Sequence, residues 1–209
     1  MRIIKDHIFI SIPVLMILTS CQKQHIQFDR QECLEVYEEM LVTPKELLND
    51  KFYTANNLNE FELIEIDTSD NYVLKIKYEF KFTDSASNFS FIISTLIAFE
   101  ESEEDAERTL RNWEGGYEMG IGNSLTRNNI EVINLNDSLH FGETSNFNKY
   151  EKNGRIKGYY LSGRTEQIVY LHAVVSDHLA HHDYPELLKL RINKMDQFER
   201  FVKSKGAIT

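Results

Sequence analysis

The middle of the chain alternates between apolar and polar residues, and this pattern predicts an antiparallel sheet. From residue 74 to residue 82 the even positions are apolar, while the odd positions hold lysine or glutamate. A period of two is typical of a strand with one buried face and one face in water. Residues 89–99 are apolar on both faces, which predicts a central strand that is covered on both sides. Further strands are predicted at 61–67, 130–135, 139–149, 157–164 and 167–175, with a hairpin turn at Asn153-Gly154.

Elsewhere apolar residues recur at steps of three and four, and this spacing predicts helices. The first spans residues 28–41, another begins at Ser102, and the last spans residues 184–203. Gly115-Gly116 is predicted to end the helix from Ser102, because glycine is a poor helix former and is common at helix C-termini. A short additional helix is predicted from Thr43, which can form a capping box with Glu46. The expected core residues of the last helix are Leu188, Ile192, Met195, Phe198 and Val202.

The order of these elements is helix, helix, three strands, helix, four strands, helix. The strands occur in hairpin-linked runs and do not alternate with helices, which favours an antiparallel sheet. The predicted fold class is α+β, an antiparallel β-sheet with amphipathic helices packed on it and an N-terminal helical segment. The strand ending in Ala98-Phe99, the helix start at 102–106 and the C-terminal amphipathic helix resemble the pattern of PsbP-like α/β sandwiches. This resemblance covers the last two thirds of the chain after residue 21 and implies no enzymatic activity.

The N-terminal segment has the layout of an export signal. Arg2 and Lys5 precede an apolar run at residues 8–18, which is shorter than the roughly 20 residues that a membrane-spanning helix needs. The run ends in Leu18-Thr19-Ser20-Cys21, which resembles the lipobox of bacterial lipoproteins. That resemblance implies cleavage before the cysteine, diacylglycerol on its thiol and usually an acyl chain such as palmitate on its amine. The alternative is an ordinary secretory signal followed by a chance cysteine.

On this interpretation the chain comprises a signal peptide (1–20), a short tether (21–27) and a single α+β domain (28–209). Lipidation of Cys21 would anchor the domain stably, because several acyl chains together hold a protein on a membrane. Gln22 stands where an aspartate often retains such lipoproteins in the inner membrane. The expected location is therefore the cell envelope, with the outer membrane favoured if two membranes are present.

Charge and cysteine content narrow the possible partners. The chain carries a formal net charge of −10, which disfavours binding to nucleic acid or to anionic lipid through bulk charge. The membrane contact is expected through the N-terminal lipid, and the other expected partner is an envelope protein or a small-molecule ligand.

Once Cys21 is lipidated, Cys33 has no intrachain disulfide partner. Cys33 lies at an apolar helix position and is predicted to be a buried, unreactive thiol.

One loop before the last helix is rich in possible metal ligands. His178, His181, His182 and Asp183 could bind a divalent transition metal such as zinc, which imidazole and carboxylate groups suit. Their spacing matches no established metal motif, so the alternative is a solvated polar loop in which Asp183 caps the helix. For His172, within a predicted strand, burial or a cross-strand hydrogen bond is a sufficient explanation.

The remaining candidate features have structural explanations. The glycines near 115–122 follow a helix and lack the Lys-Ser/Thr pair of a phosphate-binding loop. The acidic run at 100–105 lies at a helix N-terminus, where the helix dipole favours negative charge. Exposed aromatic residues such as Trp113, Tyr159 and Tyr160 could form a binding surface, although core packing is the expected use of Trp113.

No catalytic constellation stands out in the sequence. The leading hypothesis is therefore a non-enzymatic, lipid-anchored binding or accessory module without a cofactor. The alternative is a metal-binding protein or a metal-dependent envelope hydrolase that uses the histidine-rich loop at 177–183. A structural component of an envelope complex is a third hypothesis, and a stable co-purifying partner would distinguish it.

Overall fold

The computed structural model describes residues 28–43, 46, 59–68, 73–84, 89–136, 143–176 and 184–206. Within these residues the chain forms helices and strands in the predicted order. The helices are α1 (Arg30–Met40), α2 (Glu103–Asn128) and α3 (Tyr184–Ser204). The strands are β1 (Asn59–Asp67), β2 (Leu74–Asp84), β3 (Phe89–Phe99), β4 (Glu131–Asn134), β5 (Thr144–Lys152), β6 (Arg155–Thr165) and β7 (Ile168–Ser176).

The strands form one seven-stranded sheet in the order β1-β2-β3-β7-β6-β5-β4. Every neighbouring pair is antiparallel, so the predicted α+β class with an antiparallel sheet is confirmed. The long connection from β3 through α2 to β4 places β7 in the centre of the sheet, paired with β3 on one side and β6 on the other. The predicted hairpin turn is also confirmed, since Asn153 and Gly154 have φ of 53° and 71°.

The two faces of the sheet are covered by different helices. On one face α1 and α3 share a single apolar core with the sheet, and Phe28 joins them through ring contacts with Phe99 and Phe201. Buried sheet residues of this core include Ile76, Ile93, Ile97, Leu161, Tyr170 and Val174. On the opposite face α2 packs on β6 and β7 through residues that include Ala106, Leu110, Trp113, Tyr160 and Leu171.

The prediction that Gly115-Gly116 ends the helix from Ser102 is wrong, since α2 continues to Asn128. The aromatic residues beside the glycines account for the difference. Trp113, before the glycine pair, packs on buried residues of β6 and β7. Tyr117, after the glycine pair, stacks on Tyr160 with the ring centroids 4.1 Å apart. Glycine costs a helix about 1 kcal/mol per residue relative to alanine, and tertiary packing of this kind can outweigh that cost.

Several predictions concern residues outside the described part of the chain. They include the signal peptide, Cys21, the tether and most of the short helix predicted from Thr43. One half of the predicted capping box is confirmed, because the backbone N–H of Thr43 donates to Glu46 Oε2 at 3.0 Å. The Thr43 hydroxyl donates to the same oxygen at 3.1 Å. Among the described helices, none is long and apolar enough to cross a membrane.

Candidate functional site

Helix α3 buries a charged residue in its core-facing stripe. Arg191, Met195, Phe198 and Val202 are spaced by four, three and four residues, and all of them are buried. Residues at this spacing lie on one face of a helix, which here packs on the sheet. Arg191 therefore occupies a position that an amphipathic helix normally gives to an apolar residue, and its exposed fraction is 0%.

The guanidinium group of Arg191 lies over the ring of Tyr170 in the central strand β7. The distance from Cζ to the ring centroid is 5.0 Å, which is within the range of a cation–π contact. In the sheet register Tyr170 lies between Ile97 of β3 and Gly163 of β6. Gly163 places no side chain beside the tyrosine ring, so only one of its two cross-strand neighbours is bulky.

His172 lies two residues further along β7 and faces the same side of the sheet. Its Nδ1 is 2.8 Å from Oγ1 of Thr95, which is directly opposite in the β3–β7 register. The histidine is 1% exposed, so both parts of the predicted explanation, burial and a cross-strand hydrogen bond, are confirmed. Burial, and secondarily the charge of Arg191, lower the pKa of His172 to about 3, which keeps its imidazole neutral at neutral pH.

We refer to Thr95, Tyr170, His172 and Arg191 as the buried polar cluster. Most nitrogen atoms of its side chains lack a hydrogen-bond partner among the described residues. Nε, Nη1 and Nη2 of Arg191 and Nε2 of His172 have no hydrogen-bond partner among the described residues. Burial lowers the pKa of Arg191 to about 10, so the guanidinium remains charged at neutral pH. An uncompensated buried charge costs several kcal/mol, which makes this cluster unusual in a folded core.

The donor groups of the cluster are chemically suited to an anion. A guanidinium group is a planar fork of donors that matches carboxylate and phosphate oxygens. If the Thr95 hydroxyl donates to Nδ1 of His172, the imidazole carries its proton on Nε2 and offers one more donor. The cluster therefore combines one positive charge with several unsatisfied donors in an apolar core.

A second buried cation on α3 is fully paired. Lys194 is 5% exposed, and its Nζ lies 2.5 Å from Glu46 Oε1. The same ammonium group donates to the carbonyl oxygen of Glu38 near the end of α1. These contacts join α3 to α1 and to the segment that follows it, so we assign Lys194 a structural role.

The candidates predicted from sequence lie apart from this cluster or outside the described chain. The predicted zinc ligands all lie outside the described residues, so the zinc site stays a prediction. They are His178, His181, His182 and Asp183. No set of three or more metal-ligating side chains occurs within the residues that the structure describes. Cys33 is buried, and burial, followed by the charge of Glu32, raises its pKa to about 11. The prediction of a buried thiol is confirmed, and the raised pKa agrees with the expected lack of reactivity.

The other sequence candidates also have structural roles. Tyr159 and Tyr160 are buried, which excludes them as exposed binding residues, and Trp113 packs on the core as expected. Glu100 is buried at the start of the acidic run and accepts a hydrogen bond from Thr109 at 2.7 Å. Burial raises the pKa of this carboxyl group. Ser102 caps α2 by accepting from the backbone N–H of Asp105 at 3.1 Å.

Comparisons with other proteins identify no family. No family model matches the chain, and no curated protein sequence matches it. Among solved structures, the extracellular domain of PknH from Mycobacterium tuberculosis is similar with a TM-score of 0.44 at 6% sequence identity. The match covers 79% of this chain and 96% of that domain. A likeness of this degree gives no basis for transferring a function.

Proposed function

We propose that this chain is a lipid-anchored binding module of the bacterial cell envelope, which holds a small ligand between α3 and the sheet. The observation that carries the proposal is the fully buried guanidinium of Arg191, which has no hydrogen-bond partner among the described residues. Binding of an anion would offset the cost of burying this charge, since a paired buried charge is far less unfavourable than an isolated one. Ligand binding therefore gives the residue a physical purpose.

The chemistry of the cluster supports binding over catalysis. Thr95 and His172 are within hydrogen-bond distance, as a nucleophile and its general base would be. A general base works best when its pKa is near the operating pH. The pKa of His172 is lowered to about 3, so its imidazole takes up a proton poorly at neutral pH. The pair is suited to orienting a donor and poorly suited to activating the threonine hydroxyl.

The anchor part of the proposal rests on the Leu18-Thr19-Ser20-Cys21 motif. Replacing the cysteine tests it, because lipid is attached to the cysteine thiol in bacterial lipoproteins. We expect Cys21→Ala to move the protein from the membrane fraction into the aqueous envelope fraction, while Cys33→Ala leaves it in the membrane fraction. Retention of a Cys21→Ala chain whose signal peptide has been removed would contradict lipid anchoring.

Recovery of bound small molecules tests the binding part of the proposal. The anchored protein is extracted from membranes with a neutral detergent and then denatured, and the released small molecules are analysed by mass spectrometry. Arg191→Met is treated identically, with Arg200→Met as the control at an exposed position of the same helix. We expect one compound to be enriched with the wild type and with Arg200→Met and to be lost with Arg191→Met. Equal recovery from all three proteins, or no enriched compound, would contradict the proposal.

A further inference from the structure

We infer that the ligand of the buried polar cluster is an organic monocarboxylate with an apolar body, whose carboxylate pairs with the guanidinium group of Arg191. This inference rests on the proposed function, because it names the chemical class of the ligand for the same site. Three features of the cluster carry it: its net charge, the planar geometry of its donors and the apolar residues around it.

The net charge of the cluster matches a monoanion. Arg191 supplies one positive charge, while His172 is neutral at physiological pH. Arg191 acts on His172 and Tyr170 acts on Arg191, and no acidic side chain among the described residues acts on either of the two. The carboxylate of Glu114 acts on Tyr170 but accepts a hydrogen bond from Ser162. One carboxylate therefore brings the cluster to neutrality. A phosphate dianion would leave an excess negative charge in the core, which is strongly unfavourable.

The donor geometry favours a planar carboxylate. The contact with the Tyr170 ring holds the guanidinium of Arg191 over the central strand. Arginine and carboxylate form two parallel N–H···O bonds in a fork-to-fork arrangement, and these charge-assisted bonds are roughly twice as strong as neutral ones. If the Thr95 hydroxyl donates to Nδ1 of His172, the Nε2–H of His172 is a further donor.

The residues around the cluster favour an apolar ligand body. On α3 the stripe continues from Arg191 to Met195 and Phe198, and on the sheet Ile97 lies beside Tyr170. All three of these neighbours are buried and apolar. An amino acid would bring an ammonium group into these surroundings, and the cluster offers no carboxylate to pair with it. An aliphatic or aromatic acid without a second charge meets both constraints.

The test uses the whole anchored protein in neutral detergent after dialysis to remove bound molecules. Propionate and benzoate are titrated against propionamide, benzamide and inorganic phosphate, with calorimetry and the shift in Tm as the two measurements. We expect saturable one-site binding of at least one carboxylate, with the matching amide bound at least about 30-fold more weakly, because the amide lacks the charge that Arg191 pairs. Phosphate is expected to give no saturable shift.

Variants assign the binding to the cluster. We expect Arg191→Met to weaken carboxylate binding at least about 30-fold, since truncating one partner of a buried charged hydrogen-bonded pair has an effect of this size. Arg191→Lys, which keeps the charge and loses the fork, is expected to bind about tenfold more weakly than the wild type. Arg200→Met serves as the matched control and is expected to bind as the wild type does. Circular dichroism confirms that each variant is folded.

The outcomes separate the inference from the proposed function. Saturable carboxylate binding that Arg191→Met weakens at least about 30-fold supports both, and carboxylate binding that Arg191→Met leaves unchanged overturns the inference. Equal binding of amide and acid, a preference for phosphate, or no binding of any carboxylate overturns the inference about ligand class. The proposed function is decided separately by the recovery of a bound compound from the wild type, which does not depend on the choice of probes.

Discussion

Two cations lie three residues apart on α3, and both are buried, yet only Lys194 has a hydrogen-bond or ion-pair partner among the described residues. The ammonium group of Lys194 contacts the Glu46 carboxylate and the Glu38 carbonyl. The guanidinium group of Arg191 has no hydrogen-bond partner among the described residues and rests on the ring of Tyr170. Since both side chains bear the same formal charge in the same helix, burial alone does not explain the difference. The proposed function accounts for the difference, because it assigns Lys194 a structural role and pairs Arg191 with a ligand.

The position of each cation in the fold agrees with this division. Lys194 contributes to the contact between α3 and α1, where a second ion pair joins Lys205 to Glu32 with Nζ and Oε2 2.6 Å apart. Arg191 instead contacts the sheet, over a central strand, through Tyr170. The cations between the two helices are therefore paired with protein groups, whereas the guanidinium between α3 and the sheet has no hydrogen-bond partner in the part of the chain that the structure describes. Substitutions at the two positions are expected to act on stability in opposite directions.

The largest effect is expected at the unpaired cation. Arg191→Met replaces an uncompensated buried charge by an apolar side chain of similar length, so the ligand-free protein should become about 3 kcal/mol more stable. Urea denaturation of wild type and variant, both dialysed free of small molecules, measures the difference. A loss of stability would show that Arg191 has a structural partner and would contradict its assignment to a ligand.

The opposite sign is expected at the paired cation. Lys194→Met removes the partner of Glu46 and the donor to the Glu38 carbonyl. Breaking a buried pair costs about 3–5 kcal/mol, but Glu46 is partly exposed and can recover some hydration, so we expect a loss of about 2 kcal/mol. The same urea series measures it, with Lys189→Met as a control at an exposed position. Equal effects at residues 191 and 194 would remove the distinction between the two cations.

The neutral histidine beside Arg191 predicts a pH dependence. Its pKa is about 3 in the folded protein and 6.5 in the reference state, so the unfolded chain binds the proton first as the pH falls. The contribution of His172 to stability is therefore complete above pH 6.5 and is lost between pH 6.5 and pH 3, by up to about 1.4 kcal/mol per pH unit. The difference in unfolding free energy between wild type and His172→Asn, measured across this range, isolates the effect from the other titrating groups. A pH-independent difference would mean that the pKa of His172 is the same in the folded and the unfolded protein, which would contradict a buried, neutral imidazole beside Arg191.

The smallest effect on the cluster is expected from the histidine-rich loop. A His181→Ala/His182→Ala double variant is expected to change carboxylate affinity by less than about twofold, because neither residue is a member of the buried polar cluster. Elemental analysis of both proteins after dialysis against metal-free buffer tests the separate zinc prediction. Near-stoichiometric metal that is lost in the double variant would support that prediction, and its absence from both proteins would reject it.

Much of the sheet and the last helix could be predicted from local patterns. Alternation defined β2 closely, the doubly apolar run matched β3 at both ends, and α3 begins and ends within a residue of its predicted bounds. The end of α2 was predicted wrongly from its two glycines. The helix continues past them because Tyr117 packs on Tyr160, and this contact joins residues that are distant in sequence. Local propensity describes what a segment prefers in isolation, and long-range contacts decide the outcome when that preference is weak.

The buried polar cluster could be predicted only in part. A helix turns every 3.6 residues, so positions 191 and 192 both lie near the face that packs on the core. The sequence pattern assigns the core position to the apolar residue, Ile192, and leaves out Arg191. In the structure Arg191 is fully buried and Ile192 is only partly buried. The alternation in β7 placed His172 on the same face as Tyr170, but its contact with Thr95 depends on the pairing of β3 with β7. An arginine at a stripe position is the sequence signal that would have pointed to the site.

The most direct measurement is a nitrogen-15 spectrum of the arginine side chains, recorded on the anchored protein before and after the addition of benzoate. The Arg191→Met spectrum identifies the Nε–H resonance of Arg191, and the exposed Arg200 serves as an internal reference. We predict that the Arg191 resonance shifts and saturates with benzoate, while the Arg200 resonance and the benzamide control do not change. An Arg191 resonance that carries the shift of a strong hydrogen bond before any addition, and that benzoate leaves unchanged, would show a partner within the protein and contradict the assignment of this guanidinium to a ligand.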